Sequence, residues 1–108
     1  MIFAMTVSEA KLLLTKYYPE VEMAYDKESR ELALRNIELV KRFGMSYAWH
    51  AFVTLKEDTA EKMRFECHTS DTTTGVFQQS LPAPEPIRER LAKILTTLSI
   101  TMPPRATC

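Results

Sequence analysis

Glycine is nearly missing from this chain: Gly44 and Gly75 are the only two in 108 residues. That scarcity excludes a Gly-rich phosphate cradle, and with it the Walker and dinucleotide-binding fingerprints, because several amides must approach a phosphate with no Cβ in the way. Cysteine is equally scarce. Cys67 and Cys108 make no Cys-x-x-Cys, and the chain has no His-Glu-x-x-His and no Gly-x-Ser-x-Gly. Zinc ribbons, zincins and the hydrolase nucleophile elbow are therefore excluded as motifs. An excess of charge of one sign is missing too: Lys+Arg and Asp+Glu are both 14, a formal net charge of +0. A neutral chain has no global field to gather phosphates or anionic lipids. No apolar run approaches the ~20 residues of a membrane-spanning helix. The opening Met1-Ile-Phe-Ala-Met is broken by Thr6, Ser8 and Glu9 and lacks the charged flank of a signal peptide. Cys67 falls mid-strand and Cys108 in a Pro-rich tail, so no disulfide is expected. Free thiols suit a reducing compartment, and a cytoplasmic location is the expectation.

What is present is an ordinary globular composition, 45% hydrophobic and 26% charged. The length allows one domain with one core. That domain is expected over residues 1–102. Pro103-Pro104 then ends order, leaving 103–108 as a loose tail.

The clearest pattern runs from Tyr47 to Thr69. Apolar side chains fall on odd positions at Tyr47, Trp49, Ala51, Val53 and Leu55, and again at Met63, Phe65 and Cys67. Alternation with period two makes each set one face of a strand, and the two faces coincide only if an odd number of residues connects them. A long hairpin results, with Leu55 opposite Met63, Val53 opposite Phe65 and Ala51 opposite Cys67. In this register the two histidines, His50 and His68, stand opposite each other on the second face, with Phe52, Arg64 and Glu66 beside them.

Elsewhere the elements are shorter. Thr6 with Glu9 forms a capping box for a first helix, ended near Tyr18 by Pro19. Glu20–Tyr25 reads as a strand. For 28–43 two readings compete. A helix would align Leu32, Ala33, Ile37, Val40 and Phe43, with Gly44 as its stop and Glu31–Arg35 and Glu38–Arg42 at i, i+4. A second hairpin would instead pair Val21, Met23 and Tyr25 with Leu32 and Leu34 across Asp-Lys-Glu-Ser-Arg. The helix is the favoured reading, although it leaves Leu34 facing water. Ser70–Gly75 is expected as a Thr-rich loop and Val76-Phe77 as a brief strand. The last helix aligns Ile87, Leu91, Ile94, Leu95 and Leu98, with Pro86 in its first turn.

The fold class is α+β: an antiparallel sheet built on the central hairpin (47–69), packed on one face by the N-terminal and C-terminal amphipathic helices. With Ser99-Ile-Thr-Met as a last strand, the element order resembles a ferredoxin-like plait with an extra N-terminal helix. Such folds host unrelated functions.

No motif identifies a family or a catalytic site. Cys67 and His68 are neighbours on a strand and point to opposite faces, which argues against a Cys–His nucleophile pair. Two histidines and Glu66 fall short of the ligand set of a typical zinc site, and no metal or cofactor is expected. Phe52 is an aromatic in the middle of a polar face. Such a ring, with Arg at its rim, is the composition of a protein-binding surface. The expected function is thus a non-enzymatic protein-binding module, a small inhibitor, adaptor or self-associating accessory protein. A phage or mobile-element origin would suit its size. The expected contacts are His50, Phe52, Arg64, Glu66 and His68, and the partner is another protein or a second copy. The alternative is a small nucleic-acid-binding domain using Arg64, Arg88, Arg90 and Lys93.

Overall fold

A computed structural model describes residues 5–71, 75–80 and 83–102, with only the backbone described at 70–71 and 75–80. The elements are α1 (Val7–Tyr17), β1 (Glu22–Asp26), β2 (Glu31–Arg42), β3 (Met45–Lys56), β4 (Thr59–Asp71), β5 (Gly75–Ser80) and α2 (Glu85–Thr97). The five strands form one antiparallel sheet in sequence order, so each strand pairs with the next. The chain is an α+β domain of this open sheet and two helices. Among the described residues no helix is long and apolar enough to cross a membrane.

The helix over 28–43 does not form. Its residues make β2, and the competing hairpin is the structure: Met23 pairs with Leu34 and Tyr25 with Leu32. The turn chemistry explains the outcome. Asp26 accepts from the Glu28 amide at 3.0 Å and from the Ser29 hydroxyl at 2.9 Å, a local turn closed by its own side chain. Arg30 takes a positive φ of 56° at the exit. In a sheet Leu32 and Leu34 share one buried face, whereas a helix would have exposed Leu34. With a strand in place of that helix, the order is not that of the ferredoxin-like plait. The expected last strand at Ser99–Met102 is reduced to one parallel bridge between Thr101 and Thr59.

The central hairpin forms with its faces as read but its register displaced by two residues. Val53 faces Met63, Ala51 faces Phe65 and Trp49 faces Cys67. The connection is not a seven-residue loop but a two-residue turn. Glu57 and Asp58 both have positive φ (51° and 63°), the type I′ geometry whose twist matches the strands. A two-residue turn alone would put Met63 on the wrong face. A bulge between Thr54 and Leu55 leaves Glu61 as one extra residue on β4, which restores the odd offset.

The core lies on the face carrying Ala51, Val53, Leu55 and Phe65. Residues of β2 (Leu32, Leu34), of α1 (Ala10, Leu14) and of α2 (Ile87, Leu91, Ile94, Leu95), with Leu98 just past its end, join the same buried cluster. Trp49 packs against it half-buried. The Thr6 hydroxyl accepts from the Glu9 amide at 3.1 Å and caps α1. α2 ends in a Schellman motif, with Ser99 at positive φ, its amide donating to Thr96 O at 3.0 Å and the Ile100 amide to Leu95 O at 2.8 Å. The chain then returns to the β3–β4 turn, where the Ala60 amide donates to Thr101 O at 2.8 Å. β4 runs to Asp71 and β5 starts at Gly75, so both ends of the expected Ser70–Gly75 loop are strand; residues 72–74, the tail 103–108 and Cys108 lie outside the described residues.

Candidate functional site

β3 and β4 bring His50, Phe52, Arg64, Glu66 and His68 together on the sheet face opposite the core. Phe52 stands directly across from Arg64, and His50 across from Glu66. The expected direct opposition of the histidines is corrected by the two-residue displacement: His68 pairs with Ala48. The rings still meet diagonally, centroids 4.3 Å apart and nearly perpendicular. The Arg64 guanidinium carbon lies 4.1 Å from the Phe52 ring centre. Arg64 also donates to Glu66 Oε1 at 2.6 Å and approaches Glu31 Oε2 at 3.5 Å. Glu66 Oε2 lies 3.5 Å from His68 Nε2. Glu66 is buried, and these partners offset the cost of taking its carboxylate out of water.

His50 is buried too, at 8% exposure, where an exposed ring is expected from the alternation. The cause is a second irregularity. Between Leu34 and Glu38 the register of β2 slips by two residues, so Arg35, Asn36 and Ile37 together face His50. Asn36 takes the left-handed conformation, φ 61°, which Asn tolerates better than most residues. Its backbone amide then donates to His50 Nδ1 at 3.0 Å. A neutral ring accepting at Nδ1 carries its proton on Nε2. Burial lowers the pKa of His50, and the positive charges of His68 and Arg35 lower it further, against a smaller opposing pull from Glu66 and Glu22. Protonation would also set an N–H against the Asn36 N–H.

β5 extends the sheet sideways by pairing with Glu66–Asp71. Phe52 is half-buried beneath the Arg64 guanidinium. Arg35, His50, Phe52, Glu66 and His68 line an open hollow of about 330 Å³. Arg35 and Asn36 were not among the expected site residues. An Asn inside an apolar-rich run is a weak sign of a left-handed residue; nothing in the sequence marks Arg35.

On the core face, among the described residues, the helices leave one end of the sheet open. A groove of about 510 Å³ there is lined by Val40, Phe43, Tyr47, Trp49 and Cys67, with Glu38 and Arg42 at its polar side and Pro84, Pro86 and Ile87 opposite. Burial raises the pKa of the Cys67 thiol, which favours its neutral form. The bases expected to read nucleic acid are divided. Arg64 lies on the polar face, whereas Arg88 and Arg90 stack near Phe65 and Tyr18, at 5.7 and 5.0 Å, on the core side. Among the described residues no three His, Cys, Asp or Glu side chains converge as a metal site requires. The chain matches no family model, no curated protein and no solved structure.

Proposed function

We propose that the protein is a non-enzymatic binding module that docks another protein on the face carrying His50, Phe52, Arg64, Glu66 and His68. The observation that supports this reading most is the state of Arg64. Its guanidinium is stacked on Phe52 and bonded to a buried carboxylate, yet its side chain is 48% exposed. A preorganised arginine on an aromatic ring, at the rim of a hollow, loses little freedom when a partner arrives. His50 is held as a neutral donor at Nε2, and Arg35 and His68 flank it. The hollow therefore offers several donors around one carboxylate, which suits a partner segment that presents backbone carbonyls or a carboxylate.

The test uses two variants that leave the internal hydrogen bonds and ion pairs in place: Phe52→Ser, which removes the ring under Arg64, and Arg35→Glu. Each is expected to abolish capture of a partner that the parent retains from native lysate, with an unchanged far-UV circular dichroism spectrum. Retention of the same partner by both variants would remove this face from the interface.

A further inference from the structure

β2 outruns its neighbour. β1 pairs with it only over Glu31–Arg35, whereas its pairing with β3 continues to Arg42. Among the described residues nothing pairs with the outer edge of Glu38–Arg42. Arg42 and Met45 close a two-residue turn in which Phe43 and Gly44 both have positive φ, so their peptide groups face each other. By alternation, the amides and carbonyls of Leu39 and Lys41 then point outward. Apolar side chains are exposed at the same place: Leu39 at 50% and Phe43 at 96%. An open strand edge with exposed apolar neighbours is a template for another strand.

We propose that this edge pairs with the same edge of a second copy of the chain, antiparallel, about a two-fold axis at Val40. The run Glu38-Leu39-Val40-Lys41-Arg42 is self-complementary in that register. Glu38 meets Arg42 of the second copy at both ends, Val40 meets Val40, and Leu39 lies across from the aliphatic stem of Lys41. Neither Glu38 nor Arg42 has an ion-pair partner among the described residues, so both charges are free for it. Other registers are worse. An axis at Lys41 opposes Lys41 to itself, and an axis at Leu39 sets Glu38 against Val40. Opposite charges directly across antiparallel strands stabilise the pair and like charges destabilise it, so the ends select the register. The contact is isologous and closes as a dimer. Glu38, Val40 and Arg42 all line the groove, so the two grooves open on the same side and meet at the axis. Each Phe43 comes level with Ile37 of the other copy, near the start of β1. The polar face with His50 and Phe52 stays free, so this inference stands independently of the proposed docking there.

Charge exchange tests it. By sedimentation equilibrium the parent is expected to dimerise, and Glu38→Arg and Arg42→Glu alone should each weaken the dimer at least about tenfold. An equimolar mixture of the two variants restores two attractive pairs and should dimerise again. The double variant Glu38→Arg/Arg42→Glu, which reverses both pairs, should match the parent. A parent that stays monomeric at its highest soluble concentration overturns the proposal. So do single variants that dimerise as the parent does, or a mixture and a double variant that both remain monomeric while the parent pairs.

Discussion

Phe65 and His50 show how a single position is decided by which side of the sheet it occupies. Phe65 lies in the core cluster beside α2. Its truncation to Ala is expected to cost about 3–5 kcal/mol, the range for a buried aromatic, measured by urea unfolding. An unchanged midpoint would mean that the ring is not in the core. His50 is set in its neutral form by burial and by the Asn36 amide. Its folded pKa lies below the ordinary value of about 6.5, so between the two values the unfolded chain binds the proton and the folded chain does not. Its stabilising contribution is complete above pH ~6.5 and is lost as pH falls from there to the depressed folded value. Unfolding free energies measured between pH 8 and 5 should fall across that window in the parent and fall less in His50→Gln. Equal slopes would show that His50 is not held neutral.

At the scale of elements, two departures from a regular ladder build the site. The Glu61 bulge keeps Phe65 on the core side and Arg64 and Glu66 on the other after an even turn. The slip at Arg35–Ile37 curls β2 over His50 and buries Ile37 within the core cluster. The second depends on Asn36 at φ 61°. Asn36→Gly, which accepts that conformation and keeps the donating amide, should leave stability within about 1 kcal/mol of the parent. Asn36→Val should cost about 1–2 kcal/mol and shift the His50 imidazole resonances in NMR spectra, because a β-branched residue resists the left-handed region. Equal stability of the two variants would place the strain elsewhere. Neither irregularity was legible beforehand, because a bulge preserves the alternating pattern on either side of it and leaves its signature only in the pairing.

For the whole molecule, stability rests on an apolar cluster drawn from both helices and three strands, β2, β3 and β4. Burying each large aliphatic side chain in it contributes roughly 1.5–3 kcal/mol, so the elements are expected to hold together without a metal. Thermal melts with and without EDTA are therefore expected to coincide; a large fall in Tm on chelation would contradict this.

Local rules were enough for α1, α2 and the two faces of the central hairpin. The Thr6 cap, Pro19, Pro86 and the alternation from Tyr47 to Cys67 each act within a few residues. The same parity argument placed Phe52, Arg64 and Glu66 on one face, since a displacement of two residues leaves every side chain on its side. What tertiary structure decided was pairing. Residues 31–42 satisfy the helical and the strand pattern alike, and the choice fell to β3, which offers Leu32 and Leu34 a partner strand and a shared core face. The burial of His50, its contact with Asn36 and the edge at Glu38–Arg42, unpaired among the described residues, likewise depend on where strands begin and end against one another. Hydrophobic periodicity reports which face a residue takes, but register and strand overlap are set by contacts between segments distant in sequence.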